Sequence, residues 1–219
     1  MSDHDAAWPQ WRRPARPVLE GRYARLEPLA SSHANDLFAA TDGHDELYDF
    51  LFEEPPADVA EVAAWIDRVN ADPGFEFWAV IDRATGRAQG RQALMRIEPA
   101  HGVLELGSIL WGPAIARSPV TTESFRLVAG YVFDDLGYRR LEWKCNDRNE
   151  ASKRAAERLG FTFEGRFESH MIVKGRSRDT AWFALLDRDW PARRAGLDAW
   201  LDPANFDSDG RQRTALARR

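Results

Sequence analysis

Three groups of side chains in this chain are of the kinds that move protons or hold anions. Glu105 stands in the run Val103-Leu104-Glu105-Leu106-Gly107-Ser108-Ile109-Leu110, a carboxylate set among apolar strand residues. A lone glutamate in water titrates near pH 4, so it works as a base near neutrality only if burial or a relayed water assists it. Otherwise it is a solvated strand residue without a chemical part. Asn149 and Ser152 open a helical run, where an amide and a hydroxyl either cap the first turn or reach out to a ligand. The stretch Ala116-Arg117-Ser118-Pro119-Val120-Thr121-Thr122-Glu123 opens another helix. Backbone N–H groups and the positive dipole end there attract anions such as pyrophosphate. Arg117 and the hydroxyls of Ser118, Thr121 and Thr122 can add donors, whereas Pro119 has no N–H to give and Thr121 adds bulk where a backbone should come close. The same loop can equally do no more than cap its helix.

Other side chains carry two readings each. His170, near Glu168, lines a site or serves as a surface or packing residue. Trp78, Trp111 and Trp143 form an aromatic wall for a ligand or fill the core. Arg178 and Asp179 read as a structural pair. Cys145 reads as a buried small hydrophobe, and Gly107 marks a bulge, a close backbone approach or tight packing.

The elements that must position these groups follow from periodicity. Arg22 to Glu27 alternate as a strand, and Ser31 or Ser32 caps a helix through Leu37 and Phe38. Asp58 starts a second helix whose face is Val59, Val62, Ala63, Ile66 and Val69, ending before Pro73-Gly74. Residues 77–81, 89–97 and 103–110 read as an antiparallel meander joined by Asp82-Arg83-Ala84-Thr85-Gly86 and Pro99-Ala100-His101-Gly102. A helix over 121–136 follows, with Phe125, Val128, Ala129, Val132, Phe133 and Leu136 on its apolar face. Leu141, Trp143 and Cys145 then alternate as a strand. Asn149 caps a helix that Gly160 ends, and residues 161–173 and 179–186 close the domain as a hairpin around Lys174-Gly175-Arg176.

Composition narrows the setting. The chain has 219 residues, enough for one domain with a real core, and 44% of them are apolar, nine being Trp. A single cysteine leaves neither an internal disulfide framework nor a Cys-based metal cluster, and no metal is expected. A net charge of −5 argues against a general nucleic-acid binder and suits a cationic substrate, although it also simply favours solubility. No apolar run approaches the ~20 residues that span a membrane, and the polar start Met-Ser-Asp-His-Asp is unlike a secretory signal. A cytoplasmic setting is expected, with neither membrane nor nucleic acid as partner. Residues 1–16, with Trp8 and Trp11, read as an arm packed on the domain or on a partner subunit, the latter giving a homodimer. The arginines 211, 213, 218 and 219 read as a frayed, solvated tail.

Asn149, Ser152, Glu157-Arg158-Leu159-Gly160-Phe161 and Glu164-Gly165, as spaced here, resemble a signature of the GCN5-related N-acetyltransferases (GNAT). The resemblance is closest to the branch that acetylates protein N-termini, including those of ribosomal proteins. A capped helix packed on a sheet through Gly-Phe also occurs in many other α/β proteins. The order β-α-α-β-β-β-α-β-α-β-β is that of the acetyltransferase fold, so the resemblance spans roughly residues 18–190. It implies a single α+β domain with a mixed, mostly antiparallel, splayed sheet flanked by helices. An arm over 1–17 would precede it, and a partly flexible C-terminal extension over 191–219 would follow.

The resemblance implies transfer of acetyl from acetyl-CoA, as cosubstrate, to a primary amine without a covalent enzyme intermediate. The amine belongs to a peptide or protein N-terminus, or to a small molecule. Such a reaction needs phosphate donors, a proton acceptor, hydrogen bonds for an oxyanion and an acid for the leaving thiolate. Phosphates would fall to Arg117, Ser118, Val120, Thr121 and Thr122, although the family's Gln/Arg-x-x-Gly-x-Gly/Ala pattern is replaced by Ala116, Pro119 and Thr121. Weakened cofactor affinity is therefore an open reading. Glu105 would orient or deprotonate the amine. Backbone near Ser108, Ile109 and Leu110 would hold the oxyanion and the cofactor's amide arm, which Asn149 would also bond. The tyrosine of many relatives is missing, its position being Ala156, so Ser152 would protonate the thiolate. Trp111, Trp143 and His170 would line the acceptor site. Two rivals stand beside this: the same fold using another acyl group such as succinyl, and a catalytically weak or silent acyl-CoA sensor or subunit.

Overall fold

Strand alternation sorts the side chains of this chain onto two faces of one sheet, and helices cover both. The computed structural model describes residues 9–217, so the expectations for Trp8, Arg218 and Arg219 lie outside the described residues. Its strands are β1 (Leu19–Glu20), β2 (Ala24–Pro28), β3 (Phe75–Asp82), β4 (Arg87–Glu98), β5 (Val103–Trp111), β6 (Arg140–Asn146), β7 (Thr162–Val173) and β8 (Arg176–Leu186). They form one sheet of eight in the order β1-β2-β3-β4-β5-β6-β8-β7. The pairing is antiparallel except between β5 and β6. The mixed, mostly antiparallel sheet flanked by helices is the fold expected from the sequence.

One face packs against α3 (Pro119–Gly130), α4 (Glu150–Leu159) and α5 (Trp190–Leu201). Its core joins Trp78, Leu94, Leu104, Leu106, Leu141 and Trp143 from the strands to Phe125, Val128 and Leu197 from the helices. The other face carries α1 (Ala34–Thr41) and α2 (Val59–Ala71), whose Leu37, Val62 and Ile66 pack on Phe77, Ala79, Ile81 and Ala93. Ile66 is fully buried there, worth roughly 1.5–3 kcal/mol of apolar transfer. Asp58 caps α2 by accepting from Glu61 N–H at 2.9 Å. Gly160 ends α4 at φ +100°, a left-handed conformation that favours glycine.

Three local expectations are corrected. The helix expected from Thr121 begins at Pro119, because proline at the first helical position gives up only an N–H that has no intrahelical partner, and Ser118 is the cap. Beyond Gly130 the helix continues as a π turn over Tyr131–Asp135 and stops at Gly137, φ +67°. Ser31 and Ser32 do not cap α1. They form a 3-10 turn, and Ser31 Oγ donates to Asp67 on α2 at 2.8 Å. Arg178 and Asp179 do not pair, since neighbours on a strand face opposite ways; Asp179 instead accepts from Ser169 N–H at 2.8 Å.

The described part of the arm, residues 9–17, packs on the domain. Trp11 Nε1 donates to Gly137 O at 2.6 Å, and Trp78 Nε1 donates to Pro17 O at 2.9 Å. Residues beyond 190 begin as α5, whose Trp190, Leu197 and Trp200 are buried in the core. Arg211 and Arg213 are exposed, but Leu216 is buried and Thr214 N–H donates to Asn205 Oδ1 at 2.8 Å, so this segment is held on the domain. Among the described residues, no helix is long and apolar enough to cross a membrane.

Candidate active site

The parallel pair β5–β6 lasts for only three registers, Val103↔Arg140, Leu104↔Leu141 and Glu105↔Glu142. Beyond them the strands part, while β5 runs on to Trp111 and β6 to Asn146. A cavity of about 440 Å³ occupies the gap. Because the sheet is open there, residues of both faces reach it. Glu105, Lys144, Arg178 and Thr180 come from the α1–α2 face, and Trp143, Cys145, Asn149 and Ser152 from the α3–α4 face.

Backbone irregularities surround this cavity. Arg96, Ser108 and Ser169 adopt φ of 46°, 48° and 48°, each beside a register shift in its strand. Left-handed non-glycine residues cost about 1–3 kcal/mol each and persist where neighbours fix them. Ser108 is held by Arg91, whose Nη1 donates to Ser108 O and Oγ, both at 2.7 Å. Arg91 is 3% exposed, lies 4.0 Å above the Trp65 ring and pairs with Glu53. Burial pulls its guanidinium down to about 9, still charged at neutral pH. Ser169 is pinned by Asp179, and the bulge brings His170 to the cavity wall.

Glu105 is 5% exposed and not the solvated strand residue of the alternative reading. Its Oε2 lies 3.1 Å from Lys144 Nζ and 3.1 Å from Arg96 Nε. Burial pushes its pKa up, opposed by the charges of Lys144 and Arg96. Gly107 leaves room for this carboxylate: a Cβ there would sit 2.7 Å from Met95 Sδ and 3.1 Å from Glu105 Oε1. Lys144 also pairs with Glu142 at 2.6 Å and stands 3.9 Å above the Trp182 ring.

On the opposite face, Asn149 Oδ1 accepts from Ser152 N–H at 2.9 Å, so the residue caps α4 while lining the cavity. Trp143 Nε1 donates to Ser152 Oγ at 2.9 Å. That contact occupies a lone pair on the hydroxyl and leaves its proton to be given. Cys145 is buried and its thiol pKa is pushed up, as suits a packing residue. Ala156, buried on α4, offers no acid.

The loop before α3 uses most of its polar atoms internally. Ser118 Oγ accepts from Val120 N–H at 3.2 Å and donates to Ile115 O at 2.7 Å. Thr121 and Thr122 are buried, and Thr121 Oγ1 donates to Ser118 O at 3.1 Å. Thr122 Oγ1 accepts from Arg158 Nη1 at 3.0 Å. These two hydroxyls thus cap and pack the helix instead of facing outward. Arg117 is exposed at φ +59°. Ile109 lines the cavity, whereas Leu110 is buried against the α1–α2 side.

Of the aromatic candidates, only Trp143 reaches the cavity. Trp78 is fully buried, and Trp111 turns to the α3 face, where its Nε1 donates to Gln92 Oε1 at 3.3 Å. Trp111 is therefore corrected from the acceptor wall to a half-buried position packed against the core. Its place is taken by Trp65 of α2 and Phe52 of the α1–α2 connection. His170 does line the cavity, with Nδ1 3.0 Å from Thr180 Oγ1 and its ring edge-on to Phe167. Burial lowers its pKa, helped by Arg96, Arg178 and Lys144. Lys144, Arg96 and Arg91 were not among the residues read from the sequence, and Arg178 was read only as a structural partner of Asp179; the signal was their place at polar positions of β4, β6 and β8, around Glu105.

Comparison with known proteins gives a consistent family. The acetyltransferase (GNAT) domain is matched over residues 24–162. A GCN5-related N-acetyltransferase of known structure from Brucella melitensis shares 53% identity with TM-score 0.93, over 95% of this chain and 96% of its own. A GNAT-family acetyltransferase structure from Chromobacterium violaceum ATCC 12472 shares 32% identity with TM-score 0.81, over 87% and 96%. A Bacillus subtilis (strain 168) protein named ribosomal N-acetyltransferase YdaF shares 29% identity over 75 residues, 34% of this chain and 41% of that relative.

Proposed function

From the premise that this chain belongs to the GNAT family of acetyltransferases, we propose that it moves acetyl from acetyl-CoA to a primary amine by direct attack. The observation that carries this reading is the parting of β5 and β6. It puts a buried carboxylate from one face and a hydroxyl from the other on a single cavity.

The donor set suits the cosubstrate. The open edge of β5 beyond Glu105 and the side chain of Asn149 would hold an extended amide arm. Arg117 and the first turn of α3 would meet phosphates, and Pro119 at the first helical position removes no donor that a later residue cannot supply. Acetyl-CoA, when bound, supplies the activated acyl group and a thiolate leaving group of pKa near 8–9.

The remaining work falls to side chains and backbone of this chain. Glu105, raised in pKa and flanked by Lys144 and Arg96, accepts the amine's proton directly or through a water. Backbone N–H groups at the Ser108–Leu110 bulge face the charge that develops on the carbonyl oxygen, and Arg91 fixes them in place. Ser152, oriented by Trp143 and Asn149, returns a proton to the leaving sulfur. Trp143 and His170 border the acceptor. A peptide or protein N-terminus is favoured as acceptor by the similarity to the ribosomal N-acetyltransferase relative.

The test is thiol release from acetyl-CoA across a panel of amines and peptides, with Glu105→Gln as control. Turnover with at least one amine, reduced ~100-fold or more in Glu105→Gln, is expected. A second reading, binding without turnover, is favoured by the inward-turned hydroxyls in the first turn of α3. It predicts that acetyl-CoA raises the melting temperature while no amine releases thiol. Absence of both effects at millimolar acetyl-CoA refutes both readings.

A further inference from the structure

Among the described residues, the buried cations are matched with one exception, in the cavity wall. Arg91 pairs with Glu53, Lys144 pairs with Glu105 and Glu142, and Arg193 donates to the carbonyls of Leu159 and Ala217. Arg178 is 7% exposed and lines the cavity, yet among the described residues no carboxylate lies within ion-pair distance of it. Its Nε is buried without a hydrogen-bond partner. Its guanidinium lies 5.4 Å from the Phe52 ring, which covers it but supplies no acceptor. A guanidinium taken out of water without an oxyanion is costly, and such a group is a fork built for carboxylate or phosphate.

We infer that the acceptor amine carries an anionic oxygen group, a carboxylate or a phosphate, and that Arg178 binds it. The surroundings agree. Arg68, Arg96 and Lys144 share the cavity with two carboxylates, Glu53 and Glu105, both already matched by cations. The cavity therefore suits an amine that brings its own negative charge and disfavours a polycation. The position of Arg178 assigns the anion to the acceptor and not to the acyl group. Arg178 lies on β8 with Thr180 and Trp182, on the face covered by Phe52 and α2, whereas Asn149 and Ser152 lie on the other. The identification of the ligand as an acetyl acceptor rests on the proposed function; the anion site itself does not.

The experiment compares matched amines that differ only in charge: alanine with alaninamide, O-phosphoethanolamine with ethanolamine, and the peptide Asp-Ala-amide with Asn-Ala-amide. Thiol release from acetyl-CoA is followed with the wild-type protein, Arg178→Gln and Arg178→Lys. Expected is a kcat/KM at least ~10-fold higher for the anionic member of the pairs that react. Arg178→Gln should bring that ratio near one, through KM for the anionic amine, with KM for acetyl-CoA unchanged. Arg178→Lys should keep part of it. A preference for neutral members, or an equal loss on both members in Arg178→Gln, overturns the inference. So does a preference for succinyl-CoA that Arg178→Gln abolishes, since the anion would then belong to the acyl group.

If no amine releases thiol, the acetyl-transfer reading fails and binding decides the anion site. A rise in melting temperature with the anionic members alone, lost in Arg178→Gln, sustains the site; no rise with any of them removes it. An unpaired charge contributes little to the fold, so Arg178→Gln should melt no lower than wild type. A melting point far below wild type would make Arg178 structural and refute the assignment.

Discussion

Arg91 is the joint between the fold and the proposed chemistry, and replacing it with methionine should damage both. Its guanidinium donates twice to Ser108, stacks on Trp65 and pairs with Glu53. Methionine fills much of the volume but removes the donors. Leaving the Ser108 carbonyl and hydroxyl without them costs about 1–3 kcal/mol, and losing the stacked cation about 0.5–2 kcal/mol. Glu53 loses its partner too, but its side chain is 20% exposed and can turn to water. Relief from burying a cation offsets part of the sum. The net loss is therefore near the low end for a broken buried pair, about 3 kcal/mol. In a protein of this size that lowers the melting temperature by roughly 6–12 °C. The effect on catalysis is separate. Ser108 sits at φ +48°, and without Arg91 its strain draws the bulge toward a regular strand and moves the donors at Ser108–Leu110. A displacement of ~1 Å there lowers kcat by up to ~100-fold. Differential scanning fluorimetry and thiol release read the two effects. Adding Ser108→Gly to Arg91→Met should recover part of the melting temperature, because glycine tolerates the left-handed backbone, but not kcat. An Arg91→Met protein with wild-type kcat and a melting point within ~2 °C of wild type would refute this account of the bulge.

Glu105→Gln should remove the acidic limb of the pH–rate profile of kcat/KM, whose midpoint in the wild type lies above the usual ~4.3 of a glutamate. Since the folded state holds this proton more tightly than the unfolded chain, wild-type stability should fall as pH rises from ~4.3 through the raised folded value, and melting curves of Glu105→Gln should lack that component. Ser152→Ala should lower kcat only ~10-fold, because a thiolate needs little help to leave; unchanged thiol release would end its role as acid. It should also cost about 1 kcal/mol, since the Trp143 indole N–H loses its acceptor. Glu123→Ala should be among the more destabilising single changes, about 4 kcal/mol by urea unfolding, because the buried carboxylate accepts from the backbone N–H groups of Arg22, Tyr23 and Ala24. Its KM for the amine should not change.

The sequence made the elements legible wherever the signal was local. Leu141, Trp143 and Cys145 are buried on one face of β6, Asp58 and Asn149 cap their helices, and Gly160 ends α4 in the left-handed region. Glu105 also stood out, as a carboxylate flanked by leucines on an otherwise apolar strand. The cations that share its cavity did not. Lys144, Arg96 and Arg178 occupy polar positions of alternating strands, the pattern of a water-facing sheet surface. They line a cavity only because Phe52, α2 and the bulged β7 cover that surface, and these approach from distant parts of the chain.

Trp111 shows how one residue redirects a site. Strict alternation from Glu105 carries residues 107, 109 and 111 onto the cavity face. The observed register pairs Ala93 with Gly107 but Arg91 with Leu110, so β5 holds one residue more than β4 across Ser108–Ile109. Every side chain beyond the bulge is therefore inverted. Leu110 faces the α1–α2 side, and Trp111 turns to Gln92 beneath α3. No glycine marks the inverted step itself, because Arg91 from the neighbouring strand holds Ser108 in the left-handed conformation. The local trace in β5 is Gly107 beside the step, read from the sequence as a bulge, a close approach or packing, and it does not show which way the side chains beyond it turn. The feature that selects which residues meet the proposed reaction is thus written on β4, and only the paired sheet makes it readable.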